Sequence, residues 1–185
     1  MRARALVVFL ALALASLLVA SPSYAPPASS TAATPPGPAP YPLRSGERGD
    51  LVGRVVRTVD GDTIHVQIGS GIEKVRYIGI DTPEVHHPTR GEEPGGRAAT
   101  EMNRRLVGNR AVRLEPDAQM RDRYGRLLAY VWVTGPDGVE IMVNAEMVRL
   151  GYAAVFTVPP NVRHAELFRK LAAAAREQHR GLWAP

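Results

Sequence analysis

The chain has 185 residues, 45% of them hydrophobic, which suits one compact domain with appendages. Its formal net charge of +5 and pI near 10.0 are compatible with a polyanionic partner without identifying one. The lack of cysteine excludes a disulfide scaffold, a thiolate nucleophile and a Cys-ligated zinc or iron–sulfur centre.

Met1 to Ala25 reads as a secretory signal. Arg2 and Arg4 form a positive start, Ala5 to Ala20 is apolar apart from one serine, and Ser23-Tyr24-Ala25 places small residues at a cleavage site. The apolar run is shorter than the roughly 20 residues that span a bilayer. The expectation is a cleaved signal, export beyond the cytoplasm and no membrane span in the mature chain. Residues 26–45, rich in Pro, Ala, Ser and Thr, lack apolar periodicity and read as an extended spacer. The folded domain is expected over 46–185, as a monomer.

Leu51 to Val59 and Thr63 to Ile68 are rich in β-branched residues and are separated by Asp60-Gly61-Asp62. In the second run Ile64, Val66 and Ile68 share one face, the alternation of a half-buried strand. Lys74 to Ile80 reads as a third strand, with Arg76, Ile78 and Ile80 on a common face. A polar loop follows from Asp81 to Gly96. Arg97 to Val107 has helical spacing, with Ala98, Met102 and Leu106 every four residues. Ala111 to Leu114 and Leu127 to Val133 read as strands, with a hairpin turn at Gly135 to Gly138. Asn144 to Leu150 reads as a short helix with Gly151 just past its end. His164 to His179 reads as the longest helix, its stripe made of Leu167, Leu171 and Ala174 or Ala175, and Gly181 stops it. The pattern predicts an α+β domain: a five-stranded barrel of the OB type with three helices.

Asp62, Asp81 and Glu84 are the acidic residues of interest. Pairing of the strands that hold Thr63 and Ile80 would bring Asp62 and Asp81 together. With the Thr82 carbonyl they form a hard-oxygen ligand set, which suits Ca²⁺, then Mg²⁺, over zinc or copper. Taken singly, Asp-Gly-Asp and Asp-Thr-Pro-Glu are ordinary turn sequences. Arg76 and Arg126 add two guanidinium forks. A cation, a carboxylate and two guanidiniums together suit the charge that builds up on phosphoryl oxygens during hydrolysis.

The stretches VDGDTI (Val59–Ile64), VRYIGIDTPE (Val75–Glu84), RDRYGRLLAYV (Arg121–Val131) and VNAEMVRLGYA (Val143–Ala153) closely resemble the staphylococcal nuclease family, in order and in spacing. The resemblance runs from about Gly53 to Trp183. It implies an OB barrel with three helices and Ca²⁺-dependent hydrolysis of DNA and RNA, with little sequence preference and 3′-phosphate products. It also implies Asp62 and Asp81 as calcium carboxylates, the Thr82 carbonyl as a further ligand and Glu84 as the general base. Arg76 and Arg126 would bind the phosphate. Tyr124 would lie near the substrate phosphate, and Arg123 and Phe156 are further candidates for substrate contact.

The chain departs from the family in two places. The family's tyrosine-rich segment is here Val155 to Pro160, one residue shorter and with Phe156 as its one aromatic. The usually lysine-rich loop after Glu84 reads His86-His87-Pro88-Thr89-Arg90-Gly91-Glu92-Glu93. The alternative reading is a non-catalytic nucleic-acid-binding OB module. Retention of both carboxylates, the base and both arginines argues against it.

Overall fold

The structure is a computed structural model that describes residues 49–85 and 91–185. The expected signal, residues 1–25, and the spacer, 26–45, lie outside the described residues, as do His86 and His87. Strands β1 (Leu51–Thr58), β2 (Thr63–Ile68) and β3 (Gly71–Tyr77) form an antiparallel meander. Their alternation sends Val55, Ile64, Val66, Val75 and Tyr77 into the core. The register slips between Val55 and Arg57, a bulge that leaves Val56 facing solvent.

β4 (Gly79–Asp81) follows, then α1 (Gly96–Val107), β5 (Ala111–Glu115), β6 (Leu127–Thr134), β7 (Glu140–Met142), α2 (Val143–Arg149), β8 (Ala154–Phe156) and α3 (Ala165–Glu177). A 3₁₀ turn, Gly181–Trp183, ends the chain. β1 pairs with β5, β5 with β6, and β6 returns to β3 as a parallel pair. The ring β1–β2–β3–β6–β5 is therefore a closed five-stranded barrel without free edges inside it. β7 extends β6 as a hairpin, and β4 pairs with β8 in a separate small sheet. The α+β class, the five-stranded barrel and the three helices agree with the sequence reading.

Several local expectations are corrected. Lys74 to Ile80 is not one strand: β3 stops at Tyr77 and β4 starts at Gly79. Gly79 has φ +81, and a Cβ there would come within 2.5 Å of the Phe168 ring. Only glycine meets both demands. Ile78 and Ile80 are consequently both buried and do not share a strand face with Arg76. Nor does the strand of Thr63 pair with that of Ile80: Thr63 lies opposite Arg76, and Ile80 opposite Val155.

The buried stripe of α1 is Ala99, Asn103 and Val107, one residue on from the expected one. Ala98 is exposed, while Met102 and Leu106 flank the core. A polar Asn103 hides the true face from an apolar count. On α3, Leu171 and Ala175 are buried as expected, Leu167 only flanks the core, and Phe168 fills its centre.

Asn144 shows how α2 is attached. Its Oδ1 accepts from Val131 N–H at 2.8 Å, and its Nδ2 donates to Ile78 O at 2.9 Å. The side chain is wholly buried and satisfies backbone groups of β6 and of the break before β4. Asn144→Ala is expected to lower stability by roughly 2–5 kcal/mol, the scale for orphaning a buried donor and a buried acceptor. Urea unfolding checks this, and a loss below about 1 kcal/mol would show that the freed groups find other partners.

Glu115 fastens the start of α3 to the barrel. It accepts from Trp132 Nε1 at 2.8 Å and Arg163 Nη1 at 2.7 Å, with His164 Nε2 at 3.3 Å. Burial alone would raise its carboxyl, but the bonds to His164, Arg163 and Trp132 outweigh that and bring it down to about 2. A depressed folded pKa stabilises in full above the ordinary value of 4.5 and is lost as pH falls through about 2. Wild type should therefore lose stability across that window through a component that Glu115→Gln lacks. Identical acid limbs in the two proteins would rule Glu115 out.

Candidate active site

The turn between β1 and β2 carries Asp60 and Asp62. Asp62 N–H donates to Asp60 Oδ1 at 3.0 Å, a local Asx arrangement. Asn103 of α1 holds the turn from below, its Nδ2 donating to Asp60 O at 2.8 Å while its Oδ1 accepts from Tyr77 Oη at 2.8 Å. Tyr77 N–H donates to Asp62 O at 2.9 Å. Gly61 lies against Thr82: a Cβ there would fall 2.6 Å from the Thr82 hydroxyl. The turn and the exit of β4 thus meet only because residue 61 has no side chain.

Asp62 is 4% exposed. Its Oδ1 accepts from Thr63 Oγ1 at 3.1 Å, and its Oδ2 from Thr82 N–H at 3.0 Å and Thr82 Oγ1 at 3.2 Å. Arg76 Nη2 stands 3.0 Å from Asp62 Oδ2 and 2.8 Å from Asp81 Oδ1. Burial pushes the Asp62 carboxyl up to about 7. Arg76 opposes the rise, and Asp60 and Asp81 add to it. The cluster holds more negative charge than one guanidinium neutralises.

Arg76 also works on the backbone. Its Nη1 donates to Tyr77 O at 2.7 Å and Ile80 O at 2.8 Å, the two carbonyls flanking the β3–β4 break. Asp62 and Asp81 therefore come together through Arg76 and Thr82, not through the strand pairing expected from sequence. Asp81 remains largely exposed, and Thr82 is buried.

Glu84 is exposed beside this group. Its backbone is fixed to the start of α1: its N–H donates to Glu93 Oε2 at 3.1 Å, and Glu93 N–H donates to its carbonyl at 2.8 Å. A Cβ at Gly96 would lie 2.8 Å from that carbonyl. Partial burial raises the Glu84 carboxyl above its ordinary range. Asp60, Asp81 and Glu93 push the same way, and Arg76 pulls back.

Arg126 reaches the site from the turn before β6. Its Nε donates to Asp122 Oδ2 at 2.6 Å, and its own N–H to Asp122 Oδ1 at 3.0 Å. Asp122 thereby fixes the inner edge of the guanidinium, and both Nη atoms have no partner among the described residues. Tyr124, 68% exposed, stands over the same turn with Arg126 5.6 Å and Arg123 4.8 Å from its ring centre. Arg123 Nη2 also donates to Tyr124 Oη at 2.6 Å.

Arg76 and Arg126 line one open cleft of about 190 Å³, with Asp122, Leu128, Phe156 and Val158. Phe156 is exposed at its rim, opposite Gly79 in the β4–β8 pair. Every predicted site residue thus falls in one of two adjoining groups, with Arg76 common to both. Asp62, Asp81, Thr82 and Glu84 form the first, and Arg126, Tyr124, Arg123 and Phe156 the second. The sequence reading missed Asn103, Asp122 and the steric role of Gly61. Asn103 alone gave a signal, as a lone amide four residues from both Ala99 and Val107.

For a cation the site offers two carboxylates and the Thr82 carbonyl. Among the described residues no three Asp, Glu, His or Cys side chains gather as a metal cluster. All three donors are hard oxygens, and water would complete a shell of the size Ca²⁺ takes. The donor chemistry fits a hard divalent ion.

Comparison with known proteins is consistent with this architecture. The family profile "Staphylococcal nuclease homologue" matches residues 74–185, which takes in Arg76, Asp81, Thr82, Glu84, Tyr124, Arg126 and Phe156 but not Asp62. The chain is 37% identical over 130 residues to the thermonuclease of Staphylococcus hyicus, covering 70% of this chain and 74% of that protein. It is 37% identical over 129 residues to the thermonuclease of Staphylococcus intermedius, with coverage of 70% and 74%. Endonuclease YncB of Bacillus subtilis is 35% identical over 128 residues, spanning 69% of this chain and 59% of that protein. A matched profile over more than half the chain, relatives at this identity and a five-stranded barrel with three helices agree: the chain belongs to the staphylococcal nuclease family.

Proposed function

We propose that the protein is an exported, Ca²⁺-dependent nuclease that hydrolyses phosphodiester bonds of DNA and RNA with little sequence preference, leaving 3′-phosphate ends. The observation that carries this reading is the single cleft lined by Arg76 and Arg126, with the carboxylate group on the far side of Arg76. The thermonuclease and endonuclease names of the relatives support the same chemistry. Among the described residues no helix is long and apolar enough to cross a membrane. Export rests on the sequence pattern of residues 1–25.

Asp62, Asp81 and the Thr82 carbonyl would hold the ion. When bound, it neutralises phosphate charge and favours ionisation of a nearby water. Arg126 offers its two free Nη atoms to phosphoryl oxygens, a bidentate contact that strengthens as negative charge builds on them. Glu84 accepts the proton of the attacking water, and its raised carboxyl suits that exchange. Arg76 differs from Arg126: its Nη1 donates to two carbonyls, and its Nη2 donates to Asp81 and forms an ion pair with Asp62, which leaves Nε–H for substrate. Tyr124 and Arg123 would stand beside a phosphate held by Arg126, and the exposed Phe156 would offer a ring face to a base.

A Ca²⁺ chelator should abolish degradation of plasmid and of RNA, and added Ca²⁺ should restore both. Ca²⁺ should also raise the thermal midpoint of wild type, and Asp81→Asn should lose much of that shift. Full activity in chelator, or a midpoint insensitive to Ca²⁺, would defeat the ligand assignment.

The two arginines should separate by stability. Arg126→Ala and Arg76→Ala should each lower kcat by at least ~10²-fold, and lysine should rescue neither well. Arg126→Ala should cost no more than about 1 kcal/mol of stability, since a partly exposed ion pair contributes little. Arg76→Ala should cost clearly more, because it strips both carbonyls of the strand break and both carboxylates. Glu84→Gln should lose rate without losing stability. Near-normal kcat in Arg126→Lys would reduce that side chain to general attraction for the strand.

A further inference from the structure

Most basic side chains of the domain are already committed. Arg104 and Arg105 pair with Glu101, Arg113 with Asp50 and Glu140, Arg121 with Glu73 and Arg163 with Glu115. Others hold a backbone carbonyl or lie over a ring. Among the described residues Arg57 and Lys74 differ: neither has a hydrogen bond, an ion pair or a ring contact, and both are exposed.

These two are neighbours. The register places Arg57 opposite His65 and His65 opposite Lys74, so the three side chains form one row across β1, β2 and β3. At about 4.8 Å per strand the row spans about 10 Å. Thr63 and Arg76 face each other in the same ladder, two residues further along β2 and β3. Alternation therefore puts Lys74 on the face of Arg76, about 6.6 Å along the strand. The row begins one step from the catalytic guanidinium.

Arg57 and Lys74 lie on either side of His65, and neither has an anionic partner of its own, so an anion laid across the row would meet both charges. No carboxylate of the ladder supplies one: Glu73 of β3 points to the other face and holds Arg121. The three groups do sense one another. Burial, then the charges of Arg57 and Lys74, hold the His65 imidazole below its usual range, so it acts as a neutral hydrogen-bonding group. The arrangement is a line across three strands, longer than a single small anion. A linear polyanion matches it, and its continuity with Arg76 indicates which one.

We propose that Arg57, His65 and Lys74 form a track for the sugar–phosphate backbone of the substrate strand, holding phosphates beyond the one that is cleaved. This deepens the nuclease reading and rests on it. The double variant Arg57→Gln/Lys74→Gln is compared with Arg104→Gln/Lys170→Gln, which removes the same charge elsewhere. Binding of a fluorescent single strand of about 20 nucleotides is followed by anisotropy against salt, in chelator so that no cleavage occurs. The track variant should bind roughly tenfold more weakly at low salt, and its slope of log affinity against log salt should be shallower by about 1.4, two phosphates at about 0.7 each. The control should change by less than about twofold. With Ca²⁺ present, the track variant should show a lower ratio of kcat/KM on the long strand to kcat/KM on a dinucleotide, through KM. Equal losses in the two variants, or an equal loss of affinity for anionic lipid vesicles and for DNA, would overturn the track in favour of general anion attraction. Failure of wild type to cleave either substrate would overturn the nuclease reading alone, because the salt slope is read without turnover.

Discussion

The site depends on how one guanidinium divides its donors. Arg76 gives Nη1 to the carbonyls of Tyr77 and Ile80 and Nη2 to the carboxylates of Asp62 and Asp81. The first pair lies on either side of Ile78, where β3 gives way to β4. The second pair would otherwise repel. A buried charge is tolerated only when paired and hydrogen-bonded, and Arg76 meets that condition with two carbonyls and two carboxylates. Lysine could offer three donors but not this flat spread. The same residue thus joins the strand break, the carboxylate group and the substrate cleft.

The break itself follows from a steric demand at one glycine. If β3 ran straight on through Ile80, Asp81 would continue along the barrel wall. Instead Gly79 takes a left-handed conformation against the Phe168 ring, and the chain turns to pair with β8. That turn carries Asp81 and Thr82 back over Gly61, where Thr82 can donate twice to Asp62. Barrel, side sheet and α3 all contribute to where one carboxylate stands. Asn144 fixes α2 to Ile78 at the same break, so helix packing and site geometry are coupled there.

Patterning and motif were enough to read the barrel, because β-branched alternation and glycine turns are local signals. Ile64, Val66 and Val75 are buried as alternation requires. The sequence misled where a polar residue serves the interior. Asn103 and Asn144 are wholly buried amides, and an apolar count moved the face of α1 by one residue because of the first. The predicted site residues could be gathered from their motifs, but not the way they meet. Nothing local says that Ile80 pairs with Val155, or that Asp122 fixes Arg126, since both depend on tertiary contacts.

The two arginines differ in how ready they are. Arg126 is held at Nε by Asp122 and presents free Nη atoms, so it meets a phosphate without giving up a partner. Arg76 must exchange a carboxylate contact before its Nη2 can do the same. Asp62 is pushed up mainly by burial, while Asp60 and Asp81 add to the rise and Arg76 opposes it. A cation held by Asp62 and Asp81 would compete with Nη2 for both carboxylates. Arg76 would then turn toward the cleft it already lines. In the proposed reading, ion binding and phosphate binding would be coupled through this one side chain, a coupling that a site with Arg126 alone would lack.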